Sequence, residues 1–161
     1  MHNLLLKTRN RFYMLNFDTT IKDVAAKFNA QIKELSPGVY SLDIPFKLKD
    51  GSSRYQYVYA WAIPGRAKGK DCFYFNSRCG TFDPKATDTY SLLKEAGFGY
   101  YSMITITKDK LSDGTPCETV IVQASPIAEH IGSVDELADI VWEVAEVADI
   151  IEEKYFGGDK N

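Results

Sequence analysis

Nucleophilic chemistry in this chain would have to start from three thiols and two imidazoles, at Cys72, Cys79, Cys117, His2 and His130. A thiol becomes a nucleophile when a nearby cation or base favours its thiolate. Cys79, next to Arg78, is the one cysteine with a cation beside it in sequence. A thiol-dependent enzyme or small-molecule sensor with a pocket near Cys79 and Arg78 is therefore the chemical alternative to be weighed. His2 stands almost at the start of the chain, so a Cys-His or Ser-His pair would rest on His130. His130 lies just ahead of a helix cap, where a surface or capping role is the ordinary one. Cys72 and Cys117 read as packing residues. An odd number of cysteines without a CxxC pair describes the reduced thiols of a cytoplasmic protein.

Metal and phosphate chemistry find no better footing. The sequence contains no CxxC, no HExxH and no EF-hand loop, so neither a metal site nor a cofactor is expected. Asp135, Asp139, Glu143 and Glu146 share one side of a helical pattern, which reads as a solvated acidic face rather than a cation cage. The basic run from Pro64 to Lys70 lacks the GxxxxGK[ST] pattern and joins two strands, so it reads as a hairpin tip. A net charge of -3 disfavours a broad nucleic-acid footprint, which needs an excess of cations facing phosphate. No catalytic residue is assigned on these grounds, and the chain is read as a non-enzyme.

Tyr55, Tyr57, Tyr59 and Trp61 offer a different kind of function. Aromatic residues at every second position occupy one face of a strand, where they can form core, stack bases or bind a protein. Arg54 alone flanks the row with positive charge, so base stacking is the weakest of the three. These four residues are the candidate partner-binding set, together with whatever part of the last helix stays uncovered.

The elements that must position these groups follow from periodicity. Ser133 and Glu136 have capping-box spacing, and Gly157 and Gly158 close the long helical pattern that begins there. Its apolar residues, from Val134 to Tyr155, span an arc of roughly 220°, more than a single sheet covers. Asp149 and Glu152 fall on the apolar side, so the last turns are expected to protrude from the core. Ile21, Val24, Ala25, Phe28 and Ile32 predict a first helix from Thr20 to Leu35, closed by Pro37-Gly38. Alternation from Tyr40 to Leu48 and from Tyr55 to Ile63 predicts a hairpin around Asp50-Gly51, with Pro45 placing the first strand at an edge or a bulge. A third strand covers Asp71 to Ser77. Asp83-Pro84 starts a short helix that Gly97 ends, and strands over Tyr100–Thr107 and Glu118–Ala124 pair around Ser112-Asp113-Gly114.

The order is therefore α-β-β-β-α-β-β-α, an α+β domain with helices packed on an antiparallel sheet of about five strands. At 161 residues the chain is the size of one domain, here residues 18–156, between an N-terminal extension (1–17) and a short tail (157–161). Leu4-Leu5-Leu6 is interrupted by Lys7, Arg9 and Arg11 too early for a secretory signal or an anchor, so no membrane partner is expected.

This order, with the stretch Leu92-Leu93-Lys94-Glu95-Ala96-Gly97-Phe98-Gly99-Tyr100-Tyr101 and the closing run Val141-Trp142-Glu143-Val144-Ala145-Glu146-Val147-Ala148-Asp149, resembles the YbjN and type III secretion chaperone-like family. The resemblance covers roughly residues 18–156 and rests on packing features. It implies a small acidic homodimer, without catalytic activity, that binds protein segments on sheet and helix surfaces. The expected function is thus a chaperone-like or adaptor module that holds a partner protein segment by apolar contacts and edge-strand pairing.

Overall fold

The computed structural model describes residues 15–47, 51–97 and 99–157. Three helices, α1 (Phe17–Lys27), α2 (Thr89–Glu95) and α3 (Val134–Ile151), accompany six strands: β1 (Gln31–Ser36), β2 (Val39–Lys47), β3 (Ser53–Ala67), β4 (Lys70–Thr81), β5 (Met103–Lys110) and β6 (Pro116–Ala124). The strands form one sheet in the order β1-β2-β3-β4-β6-β5, with every neighbouring pair antiparallel. The α+β class holds, with one strand more than the periodicity indicated.

That additional strand comes from the segment expected to finish the first helix. Asn16 caps α1 by accepting the Thr19 amide at 3.0 Å, but the helix stops at Lys27 and Asn29 turns left-handed at φ 51°. Asparagine tolerates that conformation better than most residues, because its short polar side chain offsets part of the steric cost. Ile32 is then a half-buried strand residue, and Pro37-Gly38 turns a hairpin rather than ending a helix. Gly38 takes φ +74° and donates its amide to Glu34 Oε1 at 3.1 Å.

β2 lies inside the sheet, yet Pro45 is accommodated without a bulge in the β2–β3 register. The β1 pairing ends at Gln31 opposite Asp43, so beyond that point β2 is locally an edge. The β2–β3 hairpin forms as expected, although Asp50 of its turn lies outside the described residues. At the β3–β4 tip, Lys68 (φ 52°) and Gly69 (φ 86°) are both left-handed, the geometry whose twist matches a two-residue hairpin. The second helix starts later than expected. Asp83 folds onto its own turn by accepting the Lys85 amide at 2.9 Å, while Asp88 caps α2 through the Ser91 amide at 3.0 Å.

α3 carries the core. Ser133 Oγ accepts the Glu136 amide at 3.1 Å, and Glu136 reaches back to the Gly132 amide at 2.9 Å, which fixes where the helix begins. Leu137, Ile140, Val141, Val144 and Ile151 are buried with Ala138, Ala145 and Ala148 against β3, β4, β6 and α1. Trp142 extends the covered side, its ring 5.5 Å from Phe28 and 5.0 Å from Phe46. The broad apolar arc is thus largely enclosed by the chain's own sheet and first helix. Nor do the last turns protrude: Asp149 pairs with Arg54, Glu152 is 5% exposed, and Phe156 lies over Gly80. After Ile151 the helix widens into a π turn (Glu152–Phe156), which Gly157 ends at φ 77°.

Candidate partner-binding face

Alternation along β3 sorts its residues onto two faces of the sheet, as the pleat requires. Gln56, Val58 and Ala60 point toward the helices and are at most 5% exposed. Tyr55 and Tyr57 point the other way, 49% and 41% exposed, and Tyr59 and Trp61 follow them half-buried. All three helices contribute to the core on the inner side, α1 through Phe17 against Phe73 and Phe75, α2 through Leu92, and α3 through its apolar side. The outer side carries no helix of the described residues. The four aromatics therefore share one face that no helix of the described residues covers.

Their neighbours give that face its relief. Trp61 pairs across the ladder with Tyr74, ring centroids 4.5 Å apart, while Arg66 lies 5.5 Å from the Tyr74 ring and Tyr74 donates its hydroxyl to Gln123. Tyr57 and Tyr59 stand beside Asp43 and Ser41 of β2. A depression of about 360 Å³ opens on the β1 side of these tyrosines, lined also by Leu35 and Lys33. A second of about 260 Å³, bordered by Arg78, opens on the β4 side.

Arg54 does not supply the face with charge. Its side chain belongs to the inner phase of β3 and pairs with Asp149 and, at 3.2 Å, with Glu153. Arg78 does lie on the outer side, but Asp109 accepts from it at 2.7 Å and is held in turn by the Thr119 hydroxyl at 3.1 Å. Both arginines are neutralised locally.

The structure separates the pair on which thiol chemistry would depend. A register shift between Arg78 and Gly80 bulges β4 at Cys79, whose thiol is 1% exposed on the inner side, while Arg78 is exposed on the outer side. Burial pushes the Cys79 thiol far above its ordinary pKa, and the Glu152 carboxylate reinforces the effect. The depression beside Arg78 is not lined by Cys79. Cys72 is buried and Cys117 half-buried. His130 is exposed, with Glu129 at 3.6 Å, and His2 lies outside the described residues.

Asp135 and Glu143, two of the four acids grouped on this helix, have separate occupations. Asp135 pairs with Lys27, and Glu143 Oε1 accepts the amides of Tyr101 and Ser102 and the Ser102 hydroxyl, each at 2.8 Å. Among the described residues no group of three or more His, Cys, Asp or Glu is placed to hold a metal ion. No helix among them is long and apolar enough to cross a membrane.

The sequence pattern puts Leu35 at the end of a helix, whereas on β1 it is 48% exposed and lines the depression beside the tyrosines. Tyr90, Leu92, Leu93 and Ala96 read in the sequence as the apolar side of the short helix, but only Leu92 is buried; Tyr90 and Leu93 are exposed, as are Tyr100, Met103 and Ile106 on β5 and the loop before it.

Known proteins supply a fold. No protein-family model matches the sequence, and no curated protein matches it either. Among solved structures, the chain resembles YbjN from E. coli, described as a candidate transcription regulator, with a TM-score of 0.56 at 14% sequence identity. The likeness covers 88% of this chain and 92% of YbjN. A YbjN-like α+β fold is what this comparison establishes, in agreement with the resemblance carried by the order of elements.

Proposed function

We propose that this protein is a non-catalytic binding module, chaperone-like or adaptor in character, that acts in the cytoplasm as a homodimer and engages protein through Tyr55, Tyr57, Tyr59 and Trp61. The observation that carries the reading is the phase of β3, which turns four aromatic side chains away from the core onto a face that carries no helix of the described residues. Aromatic residues are the side chains most enriched at protein contacts, since they bring large apolar area with few rotatable bonds. Protein is favoured over nucleic acid because Arg54 and Arg78 are each neutralised by acids of this chain. The separation of Cys79 from Arg78 weighs against the thiol alternative.

Site-directed photocross-linking tests the reading. A photoreactive side chain at position 57 should yield a covalent adduct with protein in cells, and the same group at Asp139, on the helical side, should not. Equal labelling from both positions, or none from position 57, would reject the assignment.

A further inference from the structure

We infer that the occupant of the tyrosine row is a second copy of this chain, docked face to face, across the side of the sheet that no helix of the described residues covers, about a two-fold axis near Tyr57 and Tyr59. The inference rests on the protein-binding reading above and names the partner of that same surface.

Size is the first argument. Six strands at about 4.8 Å spacing, paired over lengths of about 20 to 30 Å, present a face of roughly 600 Å² in projection. A stable interface needs about 800 Å² of accessible surface from each partner, and side-chain relief raises the accessible area above the projected one. The face is large enough without any further element.

Shape is the second. An isologous contact uses the same patch on both copies, so a surface seals against itself only if it carries projections and recesses together. Here Tyr57 and Tyr59 form a ridge between depressions of about 360 Å³ and about 260 Å³. A two-fold rotation brings the ridge of each copy to a recess of the other. Leu35, Tyr55 and Tyr57 supply exposed apolar area beside that axis.

Charge is the third. A patch of one sign repels its own copy. Lys33 and Asp43 line the same depression, and Arg78 arrives already paired with Asp109, so the face offers both signs and no large excess of either. The free edge of β5 is a poorer site for self-association, because Lys108 and Lys110 occupy its last residues and edge lysines oppose strand-to-strand pairing.

The test uses the full chain in sedimentation equilibrium and oxidative cross-linking. Wild type should sediment as a dimer, and Tyr57→Arg should weaken self-association on the order of 100-fold, the effect expected of losing a central aromatic anchor. Far-UV circular dichroism checks that the variant is folded, and Tyr59→Glu provides a second disruption at the same ridge. In a Cys117→Ser background, Tyr57→Cys chains mixed with Leu35→Cys chains, ridge against recess, should give a disulfide-linked dimer on mild oxidation, and Tyr57→Cys chains mixed with Leu93→Cys chains should not. A dimer that keeps its affinity in both ridge variants places the interface elsewhere and overturns the inference. A monomeric wild type whose photoreactive position 57 labels only a different protein overturns the second-copy assignment while leaving the binding reading intact. A monomer that labels nothing removes both.

Discussion

Arg54 rises from the strand that carries the tyrosine row and places its guanidinium on the Asp149 carboxylate, on the opposite side of the sheet. The contact joins β3 to the last full turn of α3 across 95 residues of chain, with both side chains largely enclosed. It explains how an acid can occupy the apolar side of α3 without forcing the helix end into solvent.

Arg54→Ala leaves the Asp149 carboxylate enclosed without its partner and should lower stability by about 2 to 3 kcal/mol, near the lower end for breaking a buried pair. Urea denaturation measures the loss. Arg54→Met combined with Asp149→Leu should recover much of it, because two apolar side chains remove the desolvation cost of both charges. A single variant as stable as wild type would show that the pair contributes nothing net.

Glu143 ties the loop before β5 to α3. Burial pushes its carboxyl upward, but the donors from Tyr101 and Ser102 outweigh that effect and hold it below the ordinary glutamate value of 4.5. A carboxylate depressed in the folded state stabilises above its unfolded pKa and loses that contribution as pH falls through the folded one. Unfolding free energy should therefore decline as pH drops below about 4.5, and Glu143→Gln should flatten this part of the profile. Identical acid limbs for the two proteins would count against the latch.

Gly80 leaves room for Phe156, whose ring would meet any β-carbon added there. Gly80→Val should destabilise by about 1 to 3 kcal/mol, the usual cost of forcing bulk into packed space. Phe156→Ala in the same chain should relieve part of it, giving a cycle in which the double variant loses less than the two single losses added together. Strict additivity would show that the two residues do not meet.

Thiol titration separates the three cysteines. Cys117 is half-buried, whereas Cys72 and Cys79 are buried and Cys79 is further protected by its raised pKa. One thiol per folded chain should react with an aromatic disulfide reagent at about pH 8, below the ordinary thiol pKa of about 8.5, and the other two only in denaturant. Loss of the fast phase in Cys117→Ser identifies it. Rapid reaction at Cys79 would contradict its place in the core.

Local signals in the chain are enough to locate α3 and the central hairpin. The hydroxyl of Ser133, the freedom of Gly157 and the alternation through β2 and β3 act over a few residues, so their effects can be read without knowing what lies opposite. The same holds for the separation of an aromatic phase from a Gln56, Val58, Ala60 phase on β3. Which phase faces inward is settled only when the helices arrive. Val58 and Ala60 are small and share the core with Ala138, Ala145 and Ala148 of α3, a set of side chains that suits close packing of helix on sheet. Long-range packing likewise decides that residues 31–36 become a strand beside β2, that Cys79 turns inward at a bulge, and that Arg54 serves α3 rather than the outer face. Periodicity is a property of neighbouring residues, whereas burial is a property of whatever distant segment comes to cover them.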